Sequence, residues 1–348
     1  MNIRIIDIKE FIAKDGLTID VRSPEEYYKG HMPHSINIPL FNNTERAIVG
    51  KKYKNAGRKQ AVLVGLLILE EKLDQLIEEL YLAKEMHSLK KTQEVKSNTI
   101  KIYCARGGMR SQSVSWLLKR LNIRTLTLKG GYKSYRKNVL EDFIIKRNIV
   151  LIGGKTGTGK TKLLNLMKMK GKQIIDLESL ANHRGSSFGG LGMDIQPTNE
   201  HFENLLAYEL NKFNVKEKIY LEAESANIGK CRIPHELFVQ MKECPRIEIR
   251  RSIDYRLNEL IKTYSGYPKE MLKDSVKRIS KRLGPQRTEI AIKSIDSEDW
   301  EEVCKAVLNY YDKCYSHELN NKKGNLYYID GNNQEDETIL KLILDARN

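Results

Sequence analysis

Asn148-Ile149-Val150-Leu151-Ile152-Gly153-Gly154-Lys155-Thr156-Gly157-Thr158-Gly159-Lys160-Thr161 is an apolar strand candidate that runs directly into G-x-x-x-x-G-K-S/T. A strand before this motif and a helical run after it, from near Lys162, are the context the loop requires. Glycines at 154, 157 and 159 let backbone N–H groups wrap a diphosphate without Cβ clashes, and the helix N-terminus adds its positive end. Lys160 is the expected neutraliser of phosphate oxygens, and the Thr161 hydroxyl the expected Mg²⁺ contact. The expected phosphate-binding set is therefore Gly154, Gly157, Gly159, Lys160 and Thr161. The motif does not say which phosphate.

Downstream, Gln173–Asp176, Lys218–Leu221, Arg246–Ile249 and Leu326–Ile329 read as strands alternating with helical patterns, which implies a parallel α/β sheet. Asp176 and the pair Glu222/Glu224 follow strands, where a carboxylate either orients Mg²⁺ or a water, or caps a helix. Upstream, Leu17–Val21, Thr99–Tyr103 and Arg124–Leu128 are strand candidates, and Ser23-Pro24-Glu25-Glu26 is a helix start. An insert at about 45–97 lies among them, with helical periodicity over Ala61–Leu82. The expected organisation is a parallel-sheet domain at 1–135, a linker at 136–147, and a phosphate-loop domain at 148–348 with a helical C-terminal part.

The first half carries its own reactive segment, Cys104-Ala105-Arg106-Gly107-Gly108-Met109-Arg110-Ser111, between a strand and a helix expected near Ser111. Two glycines permit a tight loop whose amides converge on the sulfur, and the helix dipole with Arg106 and Arg110 favours a thiolate. Such a thiolate suits accepting sulfur or selenium as a persulfide or perselenide, or attacking a phosphate ester. Cys231, Cys244, Cys304 and Cys314 lack these surroundings and read as core or surface fillers.

Composition narrows the class further. The 348 residues are 40% hydrophobic and 30% charged, a globular balance. The longest apolar run, Ala61–Leu69, falls short of the ~20 residues a bilayer span needs. Charges near the N-terminus speak against a signal peptide, and an odd count of five cysteines without C-x-x-C speaks against disulfides and zinc. A reduced, cytoplasmic chain without a membrane segment is expected. The net charge of +15 is concentrated: residues 101–150 hold twelve Lys/Arg against two Asp/Glu, and 246–290 hold twelve against six. Such segments suit a polyanionic partner.

Asp20-Val21-Arg22-Ser23-Pro24-Glu25-Glu26-Tyr27 and Gly30-His31-Met32-Pro33-His34-Ser35-Ile36-Asn37-Ile38-Pro39 resemble the rhodanese signature D-V-R-x-x-x-E-F/Y…G-H-I-x-G-A-x-N-I-P. His34 and Ser35 stand where Gly-Ala is usual. With Glu45–Gly50, the Cys104–Ser111 loop, the phosphate loop, His183–Gly189, Gln196–Asn204, Glu222–Ser225 and Ile228-Gly229, the chain resembles the bacterial tRNA 2-selenouridine synthase family. Ala105 stands where many members have Trp.

The resemblance implies a rhodanese-like domain fused to a P-loop domain. It implies geranyl transfer from geranyl diphosphate to a wobble 2-thiouridine of tRNA, then exchange for selenium from selenophosphate, with a selenophosphate-supplying enzyme as a possible partner. Cys104, Arg106 and Arg110 become the catalytic candidates, and His183, Arg184, Ser186, Glu222 and Glu224 the candidate substrate residues, with 183–190 read as a mobile loop over the phosphate site. The basic segments supply candidate tRNA contacts: Lys133, Arg136, Lys137, Arg250, Arg251, Lys281, Arg282 and Arg287. Two rival readings stay open at this level. The spacing C-x₅-R-S also fits a cysteine-dependent phosphatase, and the first half is shared with sulfurtransferases, in either case fused to an ATP-dependent kinase-like domain. A nucleotide-switched tRNA-binding module is the non-enzymatic alternative.

Overall fold

The computed structural model describes residues 3–90, 99–320 and 323–346. The chain divides into two compact units, Met1–Asp142 and Phe143–Asn348.

The first unit is built from β1 (Ile5–Ile6), α1 (Ile8–Ala13), β2 (Leu17–Asp20), α2 (Pro24–Lys29), β3 (Ile36–Asn37), α3 (Asn43–Glu70), α4 (Leu73–Lys90), β4 (Thr99–Tyr103), α5 (Met109–Arg120), β5 (Arg124–Leu128) and α6 (Gly131–Asp142). Its sheet runs β1-β5-β4-β2-β3, with every neighbouring pair parallel. All of β4 is buried, as expected of a strand covered on both faces. Leu76, Leu80 and Ala83 of α4 join Ile19, Ile100, Ile102 and Cys104 in one core.

Two expectations are corrected here. The insert is two helices, not one run: a capping box between Asn42 and Glu45 starts α3, Gly57 bends it at φ 75°, and the chain turns at Glu71 before α4. The hydrophobic periodicity continues across that turn, so it cannot reveal it. The rest of the insert, from residue 91, lies outside the described residues. The linker also begins later, because residues 136–142 are the second half of α6, with Tyr132, Tyr135 and Val139 buried beneath it. The edge strands β1 and β3, two residues each, are too short to set a period of two and are absent from the sequence-based strand set.

The second unit contains β6 (Ile149–Gly153), α7 (Lys160–Met169), β7 (Gln173–Ile175), α8 (Leu177–Leu180), α9 (Asn199–Leu210), β8 (Ile219–Glu222), β9 (Asn227–Ile228), β10 (Cys231–Arg232), α10 (His235–Glu243), β11 (Arg246–Arg250), α11 (Ile253–Tyr264), α12 (Lys269–Leu283), α13 (Pro285–Asp296), α14 (Trp300–Asn320), β12 (Leu326–Asp330) and α15 (Asp336–Asp345). The sheet runs β12-β11-β6-β8-β7, again parallel throughout, with fully buried β6 at its centre. The small β9–β10 hairpin is antiparallel and was not foreseen. Helices α12, α13 and α14 form a separate apolar core around Val276, Ala291, Ile295 and Val307, into which Phe188 is inserted. In parallel sheets ligands bind beyond the carboxyl ends of the strands, and the loops after β4 and β6 carry the two motifs.

Candidate active site

Cys104 follows β4 at the carboxyl end of its sheet and is buried. Its Sγ lies 3.2 Å from Ser111 Oγ on α5. The loop is tied to the first turn of α6: the amides of Tyr132 and Lys133 donate to the carbonyls of Cys104 and Ala105 at 2.8 and 3.0 Å. Gly131 has φ 57°, and a Cβ there would stand 2.1 Å from the Cys104 carbonyl oxygen, so only glycine allows this approach.

Behind the loop, Arg22 forms a buried forked ion pair with Asp20, its Nη2 2.6 Å from Oδ2 and from the Gly30 carbonyl. The same guanidinium stacks 3.8 Å above the Tyr132 ring. The D-V-R motif is thus the scaffold of the cysteine loop. Ser35, in place of the usual Ala, hydrogen-bonds the hydroxyl of Tyr103, the residue before Cys104, at 3.0 Å.

Arg110 is placed differently from the expectation. Its guanidinium is 2.6 Å from Glu26, which also lies 3.8 Å from Arg46. In this arrangement the Arg110 guanidinium is held by Glu26, a partner that the sequence-based reading did not include. Arg106 is exposed and makes no ion pair among the described residues.

Burial alone would raise the Glu26 carboxyl, but hydrogen bonding and attraction by Arg110, with Ser23 and Arg46, hold it below the ordinary value. The stabilisation is therefore present above the ordinary carboxylate pKa and lost as pH falls through the lower folded one. Glu26→Gln should cost about 1 kcal/mol at neutral pH and flatten the acid limb of a stability–pH profile. An unchanged acid limb in denaturant titrations would refute this.

The phosphate loop joins β6 to α7, which starts at Lys160. Lys160 Nζ donates to the Gly154 carbonyl at 3.0 Å, so it arches over the loop it closes. Gly157, at φ 84°, packs where a Cβ would meet the Arg256 carbonyl at 2.8 Å. Sequence reasoning missed the surrounding clamp. Arg256 of α11 donates to the Thr156 carbonyl at 2.8 Å and pairs with Asp312 of α14, which also holds Lys155 at 3.2 Å. The Tyr315 hydroxyl accepts from the Gly154 amide and donates to Glu248 at 2.7 Å. The Tyr255 hydroxyl, near Gly159, is buried with no hydrogen-bond partner.

The strand-end carboxylates now separate into roles. Asp176 caps α8, accepting from the Ser179 amide at 2.8 Å. Glu222 is fully buried at the end of β8, and Thr161 donates to its Oε1 at 2.9 Å, while Oε2 has no hydrogen-bond partner. A hydroxyl beside an unpartnered carboxylate oxygen is a donor set suited to Mg²⁺, which takes few protein ligands and completes its shell with phosphates and water. No group of three or more His, Cys, Asp or Glu side chains suited to a metal occurs among the described residues. Glu178 of α8, absent from the sequence-based set, lies with Glu224 around Gly185. Burial and repulsion from Glu224 push Glu178 up to about 8, and burial also raises Glu222 and Glu224.

The 183–190 segment is anchored, not a free flap. Arg184 donates to the Leu191 carbonyl at 2.9 Å, Ser187 donates from its amide to Tyr311 and from its hydroxyl to the Ser275 carbonyl, and Phe188 is buried. Ser186 accepts from the Phe188 amide at 3.2 Å. His183 is half-buried with Nδ1 unpartnered, and burial lowers its pKa.

Of the basic candidates, Lys133, Lys137, Arg250, Lys281 and Arg282 are exposed, and Arg136 and Arg287 half-buried. Lys137 lies 3.6 Å from Glu141, and Arg250 stacks on Tyr328 at 4.0 Å. Arg251 is a correction. It is buried, donating to the carbonyls of Gly331 and Gln334 and pairing with Asp336 at 2.5 Å, so it holds the β12–α15 turn.

A cysteine loop on one five-stranded parallel sheet and a phosphate loop on another define the class: a rhodanese-like domain joined to a P-loop domain. The rhodanese-like domain family matches residues 7–138, and the tRNA 2-selenouridine synthase AAA domain family matches residues 147–343. The chain is 32% identical to the tRNA 2-selenouridine synthase of Sulfurovum sp. (strain NBC37-1), covering 96% of this chain and 97% of that one. It is also 32% identical to the enzyme of that name from Pseudomonas fluorescens (strain Pf0-1), over 82% and 80% of the two chains. The counterpart from Bordetella petrii is 33% identical, over 80% and 77%. The chain belongs to the tRNA 2-selenouridine synthase family of enzymes.

Proposed function

We propose that this chain converts a 5-substituted 2-thiouridine at the wobble position of tRNA into 2-selenouridine through S-geranyl-2-thiouridine. The observation that carries the reading is the presence in one chain of a clamped phosphate loop and a separately built cysteine loop, one for each half of the reaction. In the first half, the thiouridine sulfur attacks C1 of geranyl diphosphate, the C–O bond breaks, and diphosphate leaves. Lys160 and the loop amides neutralise the charge that develops on that leaving group. Thr161 and Glu222 would hold Mg²⁺, which adds further charge neutralisation when bound.

In the second half, selenium replaces the S-geranyl group at C2 and geranyl thiol departs. Alkylation has made that sulfur a better leaving group, so the order is chemically determined. Transfer of selenium from selenophosphate to give a perselenide would require an oxidant, because both selenium and cysteine sulfur start fully reduced. Attack of the Cys104 thiolate on phosphorus needs none: an S–P bond forms, the Se–P bond breaks, and hydroselenide is released. Water then cleaves the S–P bond to phosphate. A selenophosphate-supplying enzyme is the implied partner, and the cytoplasm the proposed compartment. No helix among the described residues is long and apolar enough to cross a membrane.

Geranyl diphosphate alone, incubated with 2-thiouridine tRNA, should yield equal amounts of diphosphate and S-geranyl nucleoside. Diphosphate release that does not depend on tRNA would contradict the assignment. Exposed Lys133 and Lys137, with Arg136 beside them on α6, are proposed tRNA phosphate contacts. Neutralising all three should weaken tRNA binding uniformly across sequences and reduce the salt slope by roughly one per contact. An unchanged slope would mean the patch is only a solvated face.

A further inference from the structure

Residues 46–69 of the first unit carry six Lys/Arg and not one Asp or Glu. Five of these cations, Lys51, Lys52, Lys54, Arg58 and Lys59, fall within nine residues around Gly57, and every residue from 51 to 60 is exposed. Helix α3 does not run straight through them. Gly57, at φ 75° and ψ 179°, folds it back, so that Val49 Cγ2 lies 3.9 Å from where a Cβ on Gly65 would stand. Lys72, just past α3, likewise returns to pair with Glu45 in its first turn. Gly57 is eight residues from both Val49 and Gly65, which puts the tip roughly 12 Å beyond them at 1.5 Å per residue. We propose that this arm is an RNA-binding element. Its five cations take phosphates of the tRNA strand that carries the modified base, and Tyr53 stacks on an unpaired base of that strand. The proposal rests on the reading of tRNA as the substrate and adds where the first unit grips it.

The arm is anchored at its base and bare at its tip. Val49, Ile68 and Leu69 pack against the core of the first unit. Arg46, at the root, lies 3.8 Å from Glu26, the carboxylate that also holds Arg110 at the start of α5, so the arm rises from beside the cysteine loop. On helices of the second unit, exposed Lys277, Lys293 and Lys305 each pair with a carboxylate one turn away. None of the five arm cations has an ion pair, hydrogen bond or ring contact among the described residues. Lys51 and Lys54 share a helix face at i,i+3, where like charges destabilise the helix, and a bound polyanion relieves that repulsion. Tyr53, 60% exposed, stands among the lysines. Cations with an interleaved ring suit unpaired RNA, which offers phosphates to the cations and a base to the ring. A lipid surface is met instead by an apolar face along the same helix as the cations. The exposed leucines of α3, Leu63, Leu66 and Leu67, come after the basic stretch and not within it.

Titration of the full chain with 2-thiouridine tRNA across a salt series tests the arm. Replacing all five cations by Gln should weaken binding at least tenfold and lower the slope of log affinity against log salt by about three, at roughly 0.7 per single-strand phosphate. Tyr53→Ala should weaken binding about fivefold or more with the slope unchanged, and Tyr53→Phe should restore it, because stacking needs the ring and not the hydroxyl. All six side chains are exposed, so thermal unfolding of the variants should match wild type. An unchanged slope in the five-cation variant, or equal losses in Tyr53→Ala and Tyr53→Phe, would overturn the proposal. So would binding of wild type to anionic phospholipid vesicles that the five-cation variant loses while keeping its tRNA affinity. If wild type itself binds no tRNA, the substrate reading fails, and this inference with it.

Discussion

Replacing Cys104 by Ser should lower selenium incorporation by about 10³-fold or more, while S-geranyl-2-thiouridine still forms and accumulates in the tRNA. The asymmetry follows from the two loops belonging to different units: the cysteine loop is built by β4, α5 and the first turn of α6, and none of the phosphate-loop residues belongs to that unit. Ser keeps the size and a hydrogen bond to Ser111, so the fold should persist, but an alkoxide is far harder to form at neutral pH than a thiolate. Nucleoside mass spectrometry reads both products at once. Equal loss of geranylation would show that Cys104 serves the fold or the first step, and normal selenation would remove it from the chemistry.

Lys160→Ala should have the second large effect, in the opposite half. Geranyl transfer should fall by about 10²-fold, because the amine that crosses the loop and neutralises the departing diphosphate is lost. Pre-formed S-geranyl tRNA should still be selenated at close to the wild-type rate. Unchanged affinity for geranyl diphosphate would contradict the phosphate-loop assignment, and loss of both steps would point to a structural defect. Asp312, Arg256 and Tyr315 reach the same loop from α11 and α14, so their removal should weaken diphosphate binding without touching the cysteine loop.

How much of this was legible in the sequence differs by feature. The central strands of both sheets were read to within a residue or so, because β6 is an apolar run ending at glycine and β4 an alternating stretch that runs into a glycine turn. Arg110 was legible as a basic residue near Cys104 but not as a partner of Glu26, which is 84 positions away. Arg251 looked like part of a basic surface, since a charge count carries no side-chain direction; its guanidinium turns inward to Asp336. Asp176, Glu222 and Glu224 were equivalent as acidic residues after strands. Only the fold assigns one to a helix cap, one to Thr161 and one to the space around Gly185. The clamp from α14 had no sequence signal, because Asp312 and Tyr315 sit in a helix more than 150 residues beyond the loop they hold.

The central claim is that one chain carries out both halves of the exchange in order. Its most direct test follows one 2-thiouridine tRNA through incubation with enzyme and geranyl diphosphate, then selenophosphate, with nucleosides analysed by mass spectrometry at each stage. The account predicts that S-geranyl-2-thiouridine appears first, is consumed on addition of selenophosphate, and is replaced by 2-selenouridine with release of geranyl thiol. Formation of 2-selenouridine without any geranylated intermediate, or of neither product, would contradict it.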